Sequence, residues 1–135
     1  MAQGEEAQAA MPVAEVKAAS RDMLQRQLYV VRTRPVAGLG PVLANLEAHL
    51  DFQVELERSG ILFAAGPIWT EDEERWCGEG MVVLRAESRA AAIAIAERDP
   101  MHRAGARAFT VTPWMINEGR LAITLNLSTQ RFEVD

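Results

Sequence analysis

Apolar and polar positions alternate along the chain in segments with the period of either a strand or a helix. Four segments have the pattern and composition of β-strands, at about residues 28–33, 61–68, 80–86 and 106–114. Three segments have helical spacing, at about residues 13–26, 41–59 and 89–98. The pattern therefore predicts an N-terminal helix followed by a βαββαβ unit.

The first long helix of this unit, residues 41–59, begins near Pro41 and ends at Gly60, a residue typical of helix ends. Apolar residues at a spacing of three and four predict its buried stripe: Leu39, Leu43, Leu46, Leu50 and Val54. His49 lies beside Val42 and Leu56 on a helical wheel, at the margin of this stripe. We therefore expect His49 to face a cleft between helix and sheet.

The segment after this helix is apolar almost throughout, which predicts a central strand at 61–68. A polar, acidic loop joins it to the strand at 80–86, as in a β-hairpin with a long tip. Ser88 is placed to cap the next helix, and Pro100 ends it, so that Asp99 occupies the helix end.

The C-terminal segment 119–135 contains a clear period of two, with Leu121, Ile123, Leu125 and Leu127 on one face. We predict one extra strand there, covered by its own sheet, by the N-terminal helix or by a second subunit. Residues 1–12 are small and polar and are expected to form a disordered tail. The remainder, 13–135, is predicted to form a single domain with its core at 28–116.

The element order indicates an α+β, ferredoxin-like βαββαβ sandwich with an antiparallel sheet and both helices on one face. The other face of the sheet needs a cover. Face-to-face association of two copies, giving a dimeric α/β barrel, is the expected solution, so we predict a homodimer or a higher homo-oligomer.

Composition narrows the function classes. The 135 residues carry a net charge of −5 and one cysteine, Cys77. The charge argues against nucleic-acid and membrane partners, and the single cysteine is typical of a cytoplasmic protein. The N-terminus lacks the features of a signal peptide, and no apolar run reaches the length of a spanning helix. Two histidines without a cysteine cluster give no zinc signature, and no phosphate-binding motif is present, so no metal or cofactor is expected.

Several short motifs together resemble the YCII-related (YciI-like) family of the dimeric α/β-barrel superfamily. They are His49-Leu50, Ser59-Gly60-Ile61-Leu62, Ala65-Gly66-Pro67, Asp99-Pro100 followed by Ala104-Gly105, and Pro113-Trp114. The resemblance implies a ferredoxin-like fold, a dimeric barrel and a catalytic pair at His49 and Asp99. One relative is a chloro-hydroxyhydroquinone dehydrochlorinase, and muconolactone isomerase has the same type of fold. The chain departs from the family at Met101, often aromatic in relatives, and in its terminal additions.

The chemistry of this pair supports general acid–base catalysis. Imidazole exchanges protons near neutral pH, and a carboxylate on its other nitrogen fixes the tautomer. A His–Asp pair without a Ser or Cys nucleophile suits proton abstraction, as in isomerisation or elimination. The alternative for His49 and Asp99 is a purely structural hydrogen bond at a helix end.

Further candidates have competing interpretations. We predict substrate contacts at Arg32, Arg34, Gly66, Pro67, Trp69, Met101 and His102. The two arginines suit a carboxylate or phenolate, with simple solvent exposure as the alternative. His102 is a rival base, although an exposed loop histidine is the favoured interpretation. Trp69 and Phe63 suit the wall of an aromatic pocket or the core. Cys77 has no activating base, and the acidic run from Glu71 to Glu74 is interpreted as a solvated loop.

The resulting hypothesis is a small cofactor-independent enzyme, a lyase or isomerase acting on a small organic acid, aromatic or lactone-like. The main alternative is a non-catalytic module that binds a small ligand on the same fold. A cofactor-independent monooxygenase is a third interpretation.

Overall fold

The computed structural model describes residues 9–135, which fall into two compact units. The larger unit spans Gln27–Met115; the smaller one comprises the chain up to Arg26 together with Ile116–Asp135. Of the predicted tail, residues 1–8 lie outside the described part of the chain, and residues 9–12 are exposed. The predicted single domain over 13–135 stays a prediction.

Eleven elements are numbered here in chain order. They are α1 (Val13–Ala19), β1 (Arg26–Pro35), α2 (Leu39–Ala44), α3 (Leu46–Arg58), β2 (Leu62–Pro67), β3 (Gly80–Leu84), α4 (Arg89–Glu97), α5 (Pro100–Arg103), β4 (Arg107–Ile116), β5 (Ile123–Asn126) and β6 (Arg131–Val134).

The central sheet has the strand order β2-β3-β1-β4. β3 pairs antiparallel with β1, where Val31 lies opposite Val82, and also with β2, where Ala65 lies opposite Val82. The helices α2 and α3 connect β1 to β2, and α4 and α5 connect β3 to β4. This order is that of the ferredoxin-like fold. The predicted α+β class and antiparallel sheet are therefore confirmed.

The main core forms where alternate strand residues meet α3 and α4. Tyr29 and Val31 of β1 pack with Phe52 and Leu56 of α3 and with Ala92 of α4. Because both helices contact the same face of the sheet, the predicted sandwich is confirmed. α4 begins as predicted, since the Ser88 hydroxyl accepts a hydrogen bond from the backbone N–H of Ala91 at 3.1 Å.

The predicted helix 41–59 differs from the structure in two ways. It starts at Leu39 and is divided at Asn45 into α2 and α3. The predicted buried stripe is also wrong, because Leu43 and Leu50, among its members, are about half exposed. The face that packs on the sheet carries Val42, His49, Phe52, Gln53 and Leu56. Two polar residues on this face, His49 and Gln53, interrupt its apolar pattern.

The predicted central position of the strand 61–68 is also wrong. β2 is an edge strand, and Phe63 to Pro67 are exposed in the single chain. The pairing with β3 shifts register between Leu62 and Ala64, which leaves Phe63 as an extra residue. Such bulges are common on edge strands, where they change the direction of a side chain. The predicted hairpin between β2 and β3 is confirmed.

In the smaller unit, α1 is shorter than predicted. It ends at Ala19, and the Gln25 side chain donates to the Lys17 carbonyl oxygen at 2.7 Å, which satisfies a carbonyl of the last turn. The C-terminal segment is a hairpin rather than one strand, with β5 and β6 paired antiparallel and Leu125 opposite Phe132. The hairpin turns through Gln130, which has a positive φ of 55°. Within residues 9–135, no helix is long and apolar enough to cross a membrane.

Candidate active site

Asp99 is held at the junction between α4 and α5 by its own sequence context. It has an extended backbone, and its Oδ1 accepts a hydrogen bond from the backbone N–H of Met101 at 2.9 Å. Pro100 occupies the first turn of α5, where its missing N–H is not needed. The Asp-Pro step therefore fixes the position of the carboxylate before any tertiary partner is considered.

His49 binds this carboxylate from α3. Its Nδ1 lies 2.7 Å from Oδ2 and 3.0 Å from Oδ1 of Asp99. Both residues are buried, with 7% of His49 and 2% of Asp99 exposed. A carboxylate only accepts, so Nδ1 is the donor and carries a proton. Among the described residues Nε2 has no hydrogen-bond partner, and this nitrogen is the one open to a bound molecule.

The environment of Asp99 favours its charged form. Burial opposes ionisation, but the hydrogen bond from His49, the charge of that ring, the Met101 N–H and the charge of His102 together outweigh it. The pKa of Asp99 is therefore lowered below its ordinary value of 3.8. An ionised Asp99 accepts the hydrogen bond from Nδ1 and thereby fixes the orientation of the His49 ring.

Gln53 adds a third polar group to the pair. It lies one helical turn after His49 on α3, is 8% exposed, and its Nε2 donates to Asp99 Oδ2 at 3.4 Å. Its Oε1 is buried and has no hydrogen-bond partner within residues 9–135. Because buried polar atoms are normally paired, this oxygen is an unsatisfied polar group next to the His49–Asp99 pair.

His49 and Gln53 form part of the wall of a cavity of about 900 Å³. The cavity lies between α3 and the strands β2 and β3 and continues to the loop that joins those strands. The exposed and half-buried apolar residues of its wall include Leu46, Leu50, Val54, Phe63, Trp69, Trp76 and Met81. A volume of this size accommodates a small organic molecule, and the wall is mainly apolar with few polar groups, as is usual for ligand sites.

Thr33 brings a hydroxyl to the same wall, and His102 lies behind it. His102 Nδ1 donates to the Ala96 carbonyl oxygen at 2.7 Å, and its Nε2 lies 2.7 Å from the Thr33 hydroxyl. Burial lowers the pKa of His102 below 6.5, although the Ala96 carbonyl and Asp99 act in the opposite direction. In the neutral form of His102, Nδ1 donates to Ala96, Nε2 accepts the Thr33 proton, and the Thr33 oxygen can only accept from a further partner.

Arg107 is the cation of the cavity wall. It is 5% exposed, its Nε donates to the Gly78 carbonyl oxygen at 2.8 Å, and its guanidinium lies 6.0 Å from the centre of the Trp76 ring. Burial lowers the pKa of Arg107, opposed by the charge of Asp99. An arginine remains charged under ordinary conditions nonetheless, so the cavity has a fixed positive group.

The structure brings together some of the predicted site residues. His49, Gly66, Pro67 and Trp69 line the cavity, and Asp99 lies directly behind His49. The hydrogen bond between His49 and Asp99 that the sequence led us to expect is present, whereas its catalytic role stays a prediction.

Other predicted contacts lie elsewhere. Arg32 and Arg34 do not line the cavity; both bind Glu79, with Arg32 Nη2 2.6 Å from its carboxylate. Met101 is fully buried in a second apolar cluster with Val42. This geometry therefore gives no support to the predicted substrate contacts of Arg32, Arg34 and Met101. His102 is half-buried and hydrogen-bonded, so the favoured interpretation as an exposed loop histidine is wrong.

The residues that sequence reasoning missed are Thr33, Gln53 and Arg107. Two of them, Thr33 and Arg107, had a signal in the periodicity. Thr33 continues the core face of Tyr29 and Val31, and Arg107 continues the face of Phe109 and Val111, so both are polar residues at core-facing positions. Within the described chain, no cluster of three or more His, Cys, Asp and Glu side chains could hold a metal ion.

The YCII-related domain model matches residues 26–115, two-thirds of the chain. The chain belongs to the YCII-related family. The match includes every residue of the cavity wall. Among curated proteins, none matches this sequence significantly.

One solved structure with a similar fold is 5-chloro-2-hydroxyhydroquinone dehydrochlorinase (TftG) from Burkholderia phenoliruptrix AC1100, in complex with 2,5-dihydroxybenzoquinone. The two proteins are 22% identical and superpose with a TM-score of 0.52, over 64% of this chain and 92% of that one. At this identity, the likeness shows the fold that the YCII-related domain of this chain adopts.

Proposed function

We propose that this protein is a small cofactor-independent enzyme that uses His49 and Asp99 for general acid–base chemistry on a small organic acid. The observation that carries the proposal is the position of His49. One ring nitrogen is bound by a buried carboxylate, and the residue lines a large cavity.

In this proposal His49 Nε2 takes a proton from a hydroxyl group or from a carbon next to a carbonyl group. Asp99 stabilises the imidazolium that forms, because its negative charge lies 2.7 Å from Nδ1. Returning the proton to another atom of the substrate gives isomerisation. Expelling a leaving group together with its bonding electron pair gives elimination, in which the proton and the departing anion are the co-products and no oxidant is required.

Similarity to the dehydrochlorinase supports elimination as the first reaction to examine. That protein is named for the loss of chloride from a chlorinated hydroxyhydroquinone, and it was solved with a dihydroxybenzoquinone. The aromatic rings of Phe63, Trp69 and Trp76 beside the cavity suit a planar ring of this kind. We therefore place chlorinated and hydroxylated aromatic compounds first in the substrate class, with lactones second.

The test is a turnover screen with chlorinated and hydroxylated aromatic acids, chlorinated hydroxyhydroquinones and unsaturated lactones. Free chloride is measured by ion chromatography and isomerised products by mass spectrometry. The matched variant is His49→Asn, since the Asn amide nitrogen replaces Nδ1 as the donor to Asp99 while the group corresponding to Nε2 is removed. Turnover in the wild type that is lost in this variant supports the proposal.

Thermal shift measurements on the same panel separate catalysis from binding. A ligand at a hundred times its dissociation constant stabilises a protein by about 2.7 kcal/mol. Compounds that stabilise the protein without being converted would instead support the ligand-binding module that the sequence left as the alternative.

A further inference from the structure

Arg107 is a buried cation that the charge of Asp99 favours without a direct ion pair between the two side chains. It is 5% exposed, yet within residues 9–135 no carboxylate forms an ion pair with its guanidinium. Its one side-chain hydrogen bond goes from Nε to the neutral carbonyl of Gly78. Buried charges are normally paired, because removal of a cation from water carries a large desolvation cost. The guanidinium therefore has hydrogen-bonding capacity left for an anionic partner.

Two residues of the loop between β2 and β3, Gly78 and Trp76, contact the Arg107 side chain. Gly78 has a φ of +91°, and a Cβ there would lie 2.8 Å from the Pro35 ring, so glycine is needed to present this carbonyl. Trp76 lies across the guanidinium, and its Nε1 donates to the Glu79 carbonyl oxygen at 2.8 Å. A cation fixed in this way loses little conformational freedom when it binds a ligand.

The free side of Arg107 faces the cavity. A Cβ placed on Gly80, which also lines the cavity, would lie 3.8 Å from Arg107 Nη1 and 3.5 Å from the Thr33 side chain. The absence of a side chain at Gly80 thus leaves open space next to the guanidinium. This space is continuous with the wall that carries His49.

We propose that Arg107 is the specificity-determining residue of this site and binds the carboxylate of a small aromatic acid. The guanidinium offers parallel N–H groups that match a carboxylate, and the neighbouring Trp76 and Trp69 provide flat apolar surface for the ring. The anion would neutralise the buried cation, and His49 would then act on the ring held beside it. This inference rests on the proposed function, since it names the substrate class of the same site.

The test compares the binding of salicylate with that of its neutral amide, salicylamide, by isothermal titration calorimetry. Wild type is expected to bind salicylate more tightly than salicylamide. Arg107→Gln is expected to lose about ten- to hundredfold in salicylate affinity, as for a hydrogen bond to a charged group, and to keep its salicylamide affinity. Arg107→Lys keeps the positive charge but lacks the paired N–H groups of the guanidinium. Its salicylate affinity should therefore lie between those of wild type and Arg107→Gln.

Two further variants make the comparison specific. Arg32→Gln removes one positive charge away from the cavity and is expected to leave both affinities unchanged. Gly80→Ala keeps the guanidinium but narrows the space beside it, so both ligands should bind more weakly. This variant is also the substitute if Arg107→Gln fails to fold.

The inference is overturned if wild type does not bind salicylate, if Arg107→Gln binds it as tightly as wild type, or if Gly80→Ala leaves both affinities unchanged. These outcomes differ from failure of the proposed function. Salicylate binding that depends on Arg107 and not on His49, in a protein without turnover, would support this site and contradict catalysis.

Discussion

His49 and Asp99 are 50 positions apart in the chain, yet Nδ1 of the one lies 2.7 Å from Oδ2 of the other. The contact forms because α3 and the junction of α4 and α5 lie on the same face of the sheet. Asp99 is already fixed by the backbone N–H of Met101, so a single carboxylate caps a helix and orients the imidazole. These two roles can be separated by substitution.

Asp99→Asn is expected to keep the cap and lose the charge, because asparagine is as good a cap as aspartate. Loss of the charge-assisted bond to His49 should lower the free energy of unfolding by about 1.5–3 kcal/mol. Asp99→Ala should lower it by about 0.5–2 kcal/mol more, since the cap is lost as well. Urea unfolding at neutral pH measures both values, and equal stability of the two variants would contradict the capping role.

The lowered pKa of Asp99 has a consequence at acid pH. In the unfolded chain its pKa is near 3.8, and in the folded protein it is lower. The stability contributed by the ionised group is therefore complete above the unfolded value and is lost as pH falls from 3.8 through the folded pKa. Between these two values, unfolding measurements should show a stability loss in wild type that exceeds the loss in Asp99→Asn.

His102 should give the protein a second pH dependence, close to neutrality. Its pKa is lowered from 6.5 by burial, against the opposing effects of Ala96 and Asp99, while His49 and Arg107 act in the same direction as burial. The unfolded chain thus binds the proton more readily. Stability should be highest above pH 6.5 and fall as pH decreases from 6.5 to the folded pKa.

The variant that tests this is His102→Gln, whose amide can still donate and accept hydrogen bonds. The slope of unfolding free energy against pH, measured immediately below 6.5, should be smaller in the variant than in wild type. Identical slopes in the two proteins would show that His102 does not titrate differently in the folded state.

The role of Gly78 in the loop that contacts Arg107 can be tested with Gly105, outside that loop, as the matched control. Both have positive φ, +91° and +71°, but a Cβ would meet Pro35 at 2.8 Å in one case and nothing within 4 Å in the other. Gly105→Ala should therefore be destabilised only by the backbone conformation, by about 1 kcal/mol. Gly78→Ala should be destabilised further, and it should also bind salicylate more weakly because the carbonyl partner of Arg107 moves.

Differential scanning calorimetry of both variants measures the stability difference, and titration calorimetry measures the binding difference. If Gly78→Ala bound salicylate as tightly as Gly105→Ala, the Gly78 carbonyl would have no part in positioning the guanidinium.

The sequence was sufficient to predict the order of the central elements, the antiparallel hairpin and the His49–Asp99 contact. These features depend on local signals, such as the Asp-Pro step, and on the motifs that led to the YCII-related family. The buried face of α3 could not be predicted from local signals. His49 and Gln53 occupy it because Asp99 accepts a hydrogen bond from each, and a hydrophobicity pattern contains no information about a partner so distant in the chain.

The cationic residue of the site was missed for a related reason. Arg32 and Arg34 are predicted as substrate contacts because they lie at the end of a strand. Side chains alternate between the two faces of a strand, however, so both arginines point away from the face of Thr33, which lines the cavity. Arg107 lies on the core-facing side of an edge strand, where a charged residue breaks the apolar pattern. This interruption of the apolar pattern was the sequence signal from which Arg107 could have been identified. The carbonyl that holds the guanidinium comes from a loop whose conformation the sequence pattern does not specify.

The central claim is that His49 Nε2 exchanges protons with a bound substrate. The direct measurement is deuterium incorporation, followed by NMR in heavy water, at ring or α-carbon positions of compounds that bind to both wild type and His49→Asn. We expect exchange to be slower in the variant by about 10²–10⁴-fold, the usual contribution of a general acid–base residue. Equal exchange rates in the two proteins, with both folded and saturated with ligand, would contradict the account and leave His49 a structural partner of Asp99.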